Sequence, residues 1–351
     1  VELQTNHLDP ASGANDVDLA RDLRMAISEF APGSQVIAGK KIWTSGGLKT
    51  HRTKSWPQVM YAICKSCQRM YQGNESDIPT TCSCGETLPQ PREFIMPVTG
   101  FVAAPEIGLP GEEPPQRTYA STVYFGDYEQ DKSTKFDKSS EFILDSSVGL
   151  ETYVRYSRFG YMILVNKGYG QGFDICRTCG YGKVVNPFGS SNTRVHRNPI
   201  TGRECSGDFL RRVDLGHRYL TDVLEIRMSV PPELNTLNAI RSLMYALLEG
   251  ASESQGIRRS DIDGTLYYRS YGVPSIILFD AVPGGAGHVE NIKDHLRDAI
   301  FEGYKKVRDC KCGEDTSCYN CLRNYSNQRY HDDLQRGYAI KLMKYLLENG
   351  I

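Results

Sequence analysis

The sequence lacks any apolar run approaching the roughly 18 residues of a membrane span, and it lacks a charged-then-apolar leader. It also lacks a surplus of either charge. Lys+Arg number 41 against 42 Asp+Glu, for a net charge of −1, with 24% charged and 40% hydrophobic residues. That balance excludes a disordered or histone-like chain. It also argues against binding a polyanion with the whole surface, and leaves only a local basic face open. No low-complexity tract or fixed-period repeat is present. The Lys-Ser/Thr of a Walker loop, a GxGxxG turn and the paired H-x-E and P-C-x-x-C deaminase signature are all missing, which argues against nucleotide binding and zinc deamination. The first residue is Val1 rather than Met, which suggests a processed, tagged or excised piece of something longer.

What the sequence does have is cysteine. At 351 residues it fits roughly two or three domains and buries about three quarters of its unfolded surface, so it does not need disulfides to fold. Its 11 cysteines are an odd number and fall in close groups. Such clusters in a large chain read as metal ligands in a reducing, cytoplasmic compartment.

Cys64-x2-Cys67 is followed by Cys82-x-Cys84, and Cys310-x-Cys312 by Cys318-x2-Cys321. Two tight turns that each present two sulfurs suit a tetrahedral, soft-ligand ion, and four cysteines make a closed structural zinc site. Disulfides or free thiols are the competing reading. The middle group, Cys176-x2-Cys179 and Cys205, needs a fourth ligand. His196, in a Gly/Asn/Arg-rich loop, is the first candidate, His217 the second, and water or an acidic residue the third. Four, four and three exhaust the cysteines, so none is left as a nucleophile. The expectation is three structural Zn2+ ions per chain, without an open position for water activation.

The pattern predicts an α+β fold, with zinc-ribbon-like inserts on an antiparallel sheet followed by a C-terminal α/β zinc-binding domain. Its segments are 1–107, 108–230 and 231–351. Leu19, Leu23, Ala26, Ile27 and Phe30 predict a helix over 15–30, capped by Asn15 or Asp16 and stopped at Pro32-Gly33. A hairpin turns around Ala38-Gly39. Eight of the 17 prolines lie in 79–115, a mostly irregular stretch with a strand at 94–101 and a boundary at 108–116. Strands are expected at 118–125, 141–144, 151–158, 161–166, 219–230, 266–271 and 275–281. Three helices complete the chain: one from Leu237 to near Gly250, one along Val289, Ile292, Leu296, Ile300 and Tyr304, and one through Leu334, Tyr338, Leu342, Tyr345 and Leu346.

Two features bear on ligands. The strand at 275–281 leads into Val282-Pro283-Gly284-Gly285-Ala286-Gly287-His288 and a helix. Gly284, Gly285, Gly287 and His288 read first as a device for positive φ and close packing, and second as a cradle for a nucleic-acid phosphate. Basic residues also gather around the cysteines. Six arginines stand against three acids from Arg194 to Arg218. Lys311, Arg323 and Arg329 alternate with Tyr319, Tyr325 and Tyr330. Cations beside aromatic faces suit single-stranded nucleic acid; solvated arginines and half-buried tyrosines are the equal alternative. The nucleic-acid candidates are therefore Gly284, Gly285, Gly287, His288, Lys311, Arg323, Tyr325 and Arg329. Asp261, Asp263 and Asp280 loosely resemble nuclease acids, but no Glu-x-Lys follows them, so catalysis is disfavoured.

A family resemblance rests on particular residues: Phe30-Ala31-Pro32-Gly33-Ser34 and Gly39-Lys40-Lys41-Ile42-Trp43 early, then Leu215-Gly216-His217-x-Tyr219-x-Thr221-Asp222. Phe279-Asp280-x-x-Pro283-Gly284-Gly285-Ala286-Gly287 and the TSCYNCLRNYSNQ of 316–328 complete it. Together they resemble the C-terminal module of MrfA-type superfamily 2 helicases, with its four-cysteine MrfA zinc-binding domain. The same module occurs in helicase-like proteins of bacterial antiphage systems and in DrmB, the partner of the DISARM helicase. The resemblance implies that Cys310, Cys312, Cys318 and Cys321 bind one zinc. It also implies association with a DNA-translocating ATPase, as a DNA-binding or partner-docking module in defence, DISARM-like, or alternatively in DNA repair. An unrecognised metal-dependent nuclease is the remaining alternative. No Walker A, Walker B or arginine-finger motif is present, so the resemblance carries no catalytic residue over to this chain.

Overall fold

The computed structural model describes residues 1–51, 53, 55–111, 122–128, 141–144, 152–186, 195–268 and 273–349. From the N-terminus come β1 (Leu3–Gln4), α1 (Leu23–Glu29), β2 (Gln35–Ala38) and β3 (Lys41–Leu48). A hairpin of β4 (Gln58–Ile63) and β5 (Met70–Gly73) carries the first cysteine group, and β6 (Arg92–Ile95) and β7 (Phe101–Gly108) follow. Then come β8 (Thr122–Tyr128), β9 (Glu141–Leu144), β10 (Thr152–Asn166), β11 (Phe173–Cys176) and β12 (Gly182–Val184). The second cysteine group includes the short pair β13 (His196–Arg197) and β14 (Glu204–Cys205), and leads into β15 (Phe209–Met228). The last third holds α2 (Leu237–Gln255), β16 (Ile262–Tyr267), β17 (Ser275–Asp280), α3 (His288–Asp294), α4 (Leu296–Asp309) and α5 (Arg336–Asn349).

The fold is α+β. A four-stranded sheet has the order β1-β7-β3-β2, and a second, 11-stranded sheet is organised around β15. β15 pairs antiparallel with β11 at its start, with β10 along most of its length and with β17 near its end, and pairs briefly in parallel with β6. Its side chains alternate between two cores. Leu224, Ile226 and Met228 join α2, α4 and α5 on one face. Leu215, Tyr219 and Val223 join α1 and the four-stranded sheet on the other. Alternation of this kind is what a pleated strand buried on both faces requires. Among the described residues no helix is long and apolar enough to cross a membrane.

Several expected elements have different limits, each for a local reason. The first helix begins at Leu23, where the Asp22 carboxylate accepts the Arg24 N–H. Leu19 and Arg21 instead hydrogen-bond in extended form to Leu3 and Val1, which takes the preceding backbone out of the helix. The expected strand 94–101 is two strands in different sheets, because the Gly100 N–H closes a turn on Pro97 with φ 92°. The strands expected at 151–158 and 161–166 are one, β10, with a register shift between Ser157 and Gly160. The second C-terminal helix is broken at His295 into α3 and α4. Residues 112–121, Glu151, Arg194 and 269–271, on which parts of the expected boundary, strands and basic cluster fall, lie outside the described residues.

Gly250, expected near a helix end, lies inside α2, which runs on to a left-handed cap at Gly256. Its role is close packing. A Cβ at Gly250 would stand 2.0 Å from the Ala299 carbonyl oxygen, and one at Gly303 would stand 2.6 Å from that of Ala246. The two glycines thus let α2 and α4 touch backbone to backbone. Gly250→Ala is expected to cost about 2 kcal/mol or more by overpacking this contact. Gly256→Ala has open space around it and carries only the strain of φ 62°, so it should lower the melting temperature less.

Candidate metal centres

Three clusters are assembled from the cysteines, each with all ligand atoms within 4.8 Å of one another: Cys64, Cys67, Cys82 and Cys84; Cys176, Cys179, His196 and Cys205; and Cys310, Cys312, Cys318 and Cys321. All 11 cysteines are free of disulfides.

The first cluster joins two knuckles. In one, the Cys64 N–H donates to Arg69 and the Gln68 N–H to Cys64, with Gln68 in the left-handed region at φ 61°. In the other, the Gly85 N–H donates back to Cys82. The Cys64–Cys84 and Cys67–Cys82 sulfurs stand 3.6 and 3.5 Å apart. Four sulfurs about 2.3 Å from a tetrahedral ion are about 3.8 Å from each other, so the spacing fits zinc. The third cluster fits as well, with sulfur separations of 3.6, 3.5, 3.7 and 3.8 Å. It hangs between the end of α4 and a turn in which the Cys321, Leu322 and Arg323 N–H groups converge on the Cys318 carbonyl. Buried Arg336 donates to the carbonyls of Val307 and Cys312 and so ties the start of α5 to this loop.

In the middle cluster the fourth side chain is His196. Cys176 and Cys179 flank a turn in which the Gly180 N–H donates to Cys176, and the β13–β14 pairing sets His196 directly across from Cys205. His196 Nε2 lies 3.2 Å from the Cys179 sulfur. Its ring stacks on Tyr181 at 4.9 Å and meets the edge of Phe209 at 4.8 Å, which fixes the imidazole plane. His217 is elsewhere, stacked on Tyr219, with burial holding its pKa below the usual histidine range. The Gly180 knuckle is also a docking point: the Leu48 N–H donates to the Gly180 carbonyl at 2.8 Å, so this site is seated on β3.

Each four-cysteine cluster holds one acidic thiol. Burial raises Cys82, but the Cys84 N–H and the Tyr71 hydroxyl outweigh it and bring the thiol down to about 6. Burial also raises Cys310, and the Cys312 N–H with the neighbouring thiols brings it down to about 7. Burial leads the rise at Cys67 and Cys321. Like charges this close disfavour ionising a second thiol, and a divalent cation reverses that logic by deprotonating its ligands.

The glycine turn is arranged differently from a phosphate cradle. The Ala286, His288 and Val289 N–H groups donate to the fully buried Asp280 carboxylate, and the Gly287 N–H donates to Asp222. The Gly284 and Gly285 N–H groups go to the carbonyls of Leu220 and Val282. The anion at this helix start is therefore the chain's own Asp280. Nothing in the sequence but the Phe279-Asp280 pair ahead of the glycines signals it. Asp263 pairs with Arg24 at 2.6 Å and Asp261 with Arg258, so none of the three nuclease-like acids stands free. Arg323 points inward to Ser317, Thr316 and the His331 carbonyl. Arg329 is exposed and donates to Thr122, Tyr325 is 70% exposed, and Lys311 is exposed.

His196→Ala is expected to lower bound zinc from about three to about two per chain by metal analysis, with the four-cysteine sites retained. Asp280→Ala removes the shared acceptor of three N–H donors, of which that of Val289 is buried, and is expected to cost about 2 kcal/mol or more, read as a lowered midpoint of denaturant unfolding.

Residues 243–322 match the family model of the MrfA Zn-binding domain. The chain is 26% identical over 371 residues to the Druantia protein DruE of Escherichia coli (strain UMEA 4076-1), a match that covers 93% of this chain and 19% of that protein. Among solved structures it is similar to the DUF1998 helicase MrfA bound to DNA, with TM-score 0.43, 12% identity and coverage of 94% of this chain and 32% of that one. A second crystal structure of the DUF1998 helicase MrfA matches with TM-score 0.33 and 12% identity, over 82% of this chain and 34% of that one. The chain thus spans 19% of the length of DruE and about a third of that of MrfA. The third cysteine cluster lies inside residues 243–322, the segment that matches the MrfA Zn-binding domain model.

Proposed function

We propose that this chain is a zinc-stapled accessory module of a bacterial DNA helicase or translocase system, acting in the cytoplasm in antiphage defence. The observation that carries the reading is the coincidence of the MrfA Zn-binding domain match with a four-cysteine cluster built into the helical core. The DruE likeness favours a Druantia-type setting over the DISARM setting suggested by the motifs alone. The residues fit three zinc ions held by closed ligand sets, which supply no open coordination position and so act as staples. The ATP-driven step belongs to a superfamily 2 motor on the same polypeptide or on a partner subunit. Beside it this module binds or guides unwound DNA and docks partners. The segments 1–107, 108–230 and 231–351 then serve as its functional regions.

Support for the nucleic-acid role comes from the face around the third cluster, where exposed Lys311 and Arg329 accompany Tyr319 and Tyr325, 64% and 70% exposed. Metal analysis is expected to return about three zincs per chain. Fluorescent single strands are expected to bind at low salt, with affinity falling linearly in log–log form as salt rises. One zinc or none would overturn the ligand assignment, and absence of binding at low salt would overturn the nucleic-acid role and leave a protein-docking scaffold.

A further inference from the structure

The arginines of this chain divide into two groups. Nearly all described ones are engaged inside the molecule, from Arg21 on Glu29 and Arg92 on Asp214 to Arg218 over the ring of Tyr161. Arg197, Arg203 and Arg212 are the exceptions. They are exposed, and among the described residues their side chains make no hydrogen bond, ion pair or ring contact. Arg177 is also exposed, with Glu93 as its only described electrostatic neighbour. Three of the four flank ligands of the middle cluster, and the fourth lies further along, in β15. Arg177 lies between Cys176 and Cys179, Arg197 follows His196, Arg203 comes two residues before Cys205, and Arg212 lies at the start of β15.

Arg197 and Arg203 stand unpaired on the same short hairpin, where like charges repel. The acids nearby are few. Glu204 stands across the hairpin from Arg197 without closing an ion pair, Asp208 is exposed, and Asp174 is taken by Arg211 at 2.7 Å. The metal chemistry adds to the bias. Three thiolates and one neutral imidazole around a divalent ion leave one negative charge, where four thiolates leave two. With a divalent ion bound, the β13–β14 hairpin would therefore carry less negative charge at its ligands than either four-cysteine site. The turn between its strands is held by the Asn198 side chain, which accepts the N–H groups of Ile200 and Thr201, so the arginines sit on a fixed frame.

We propose that this second metal finger is a phosphodiester-binding surface, on which Arg177, Arg197, Arg203 and Arg212 contact the sugar–phosphate backbone of nucleic acid. Guanidinium forks match phosphate oxygens bidentately, and such contacts set register without reading bases. The proposal rests on the nucleic-acid role above but assigns it to a different face from that of Lys311 and Tyr325.

The test compares the wild-type chain with Arg197→Ala/Arg203→Ala/Arg212→Ala and with Lys311→Ala/Tyr325→Ala, on fluorescent single-stranded and duplex DNA across a salt series. Zinc content confirms that each variant keeps its metal centres. The triple variant is expected to lose about two units from the slope of log affinity against log salt, and roughly tenfold or more in affinity at low salt, equally for unrelated sequences. The triple Arg→Lys variant is expected to recover most of the slope, because it keeps the charge. If the wild-type chain binds and the triple Ala variant binds with the same affinity and slope, the proposal is wrong while the nucleic-acid role stands. A loss confined to Lys311→Ala/Tyr325→Ala would overturn the proposal in the same way. If the wild-type chain binds no DNA at low salt, the nucleic-acid role fails and this proposal with it.

Discussion

Most strands of the larger sheet hydrogen-bond, directly or through one neighbour, to β15, whose 20 residues ladder onto β11 at one end and β17 at the other. The strand begins beside the second metal centre, where Phe209 pairs with Cys176, and it ends under the helices that carry the third. Antiparallel pairing with β10 holds its length, and its alternating side chains feed both cores. A strand buried on both faces tolerates no slip, since a one-residue shift would exchange the two cores. The relative positions of the second and third cysteine clusters follow from that register.

The cysteine clusters in turn tie down segments at the edges of the cores. The first hangs on the β4–β5 hairpin and is pressed to the C-terminal region by Arg69, whose guanidinium lies over Tyr71 and Tyr267 at 5.1 and 5.2 Å. The third fixes the loop between α4 and α5, and places Cys321 and Leu322 in the helical core. Charge inside the fold is likewise satisfied by the chain's own donors. Asp280 supplies the anion for a helix start, and Asp214 takes a bidentate Arg92 together with the Tyr61 hydroxyl. Buried carboxylates with several donors each are stable where isolated ones are not.

The cysteine clusters are legible in the sequence because their geometry is local: C-x-C and C-x2-C turns present two sulfurs whatever surrounds them. The placement of His196, rather than His217, beside Cys176, Cys179 and Cys205 is also legible, from its position in a glycine-rich loop without a core to fill. The roles of Gly284, Gly285 and Gly287 are half legible. Their positive φ is expected, but the carboxylates that occupy the neighbouring N–H groups arrive from β15 and β17. Gly250 reads wrongly as a helix end because its partner, the Ala299 carbonyl on α4, is remote in sequence.

By itself the sequence determined the α+β class, the partition of 11 cysteines into three clusters and the approximate place of most strands and helices. Those depend on spacing and periodicity along a short stretch of chain. Tertiary structure alone decided which arginines are engaged inside the molecule and which face outward, that β10 is one strand, and that α1 starts at Leu23. Each of these depends on a partner many residues away, such as Asp263 for Arg24 or Leu3 for Leu19, and no local pattern encodes such a partner.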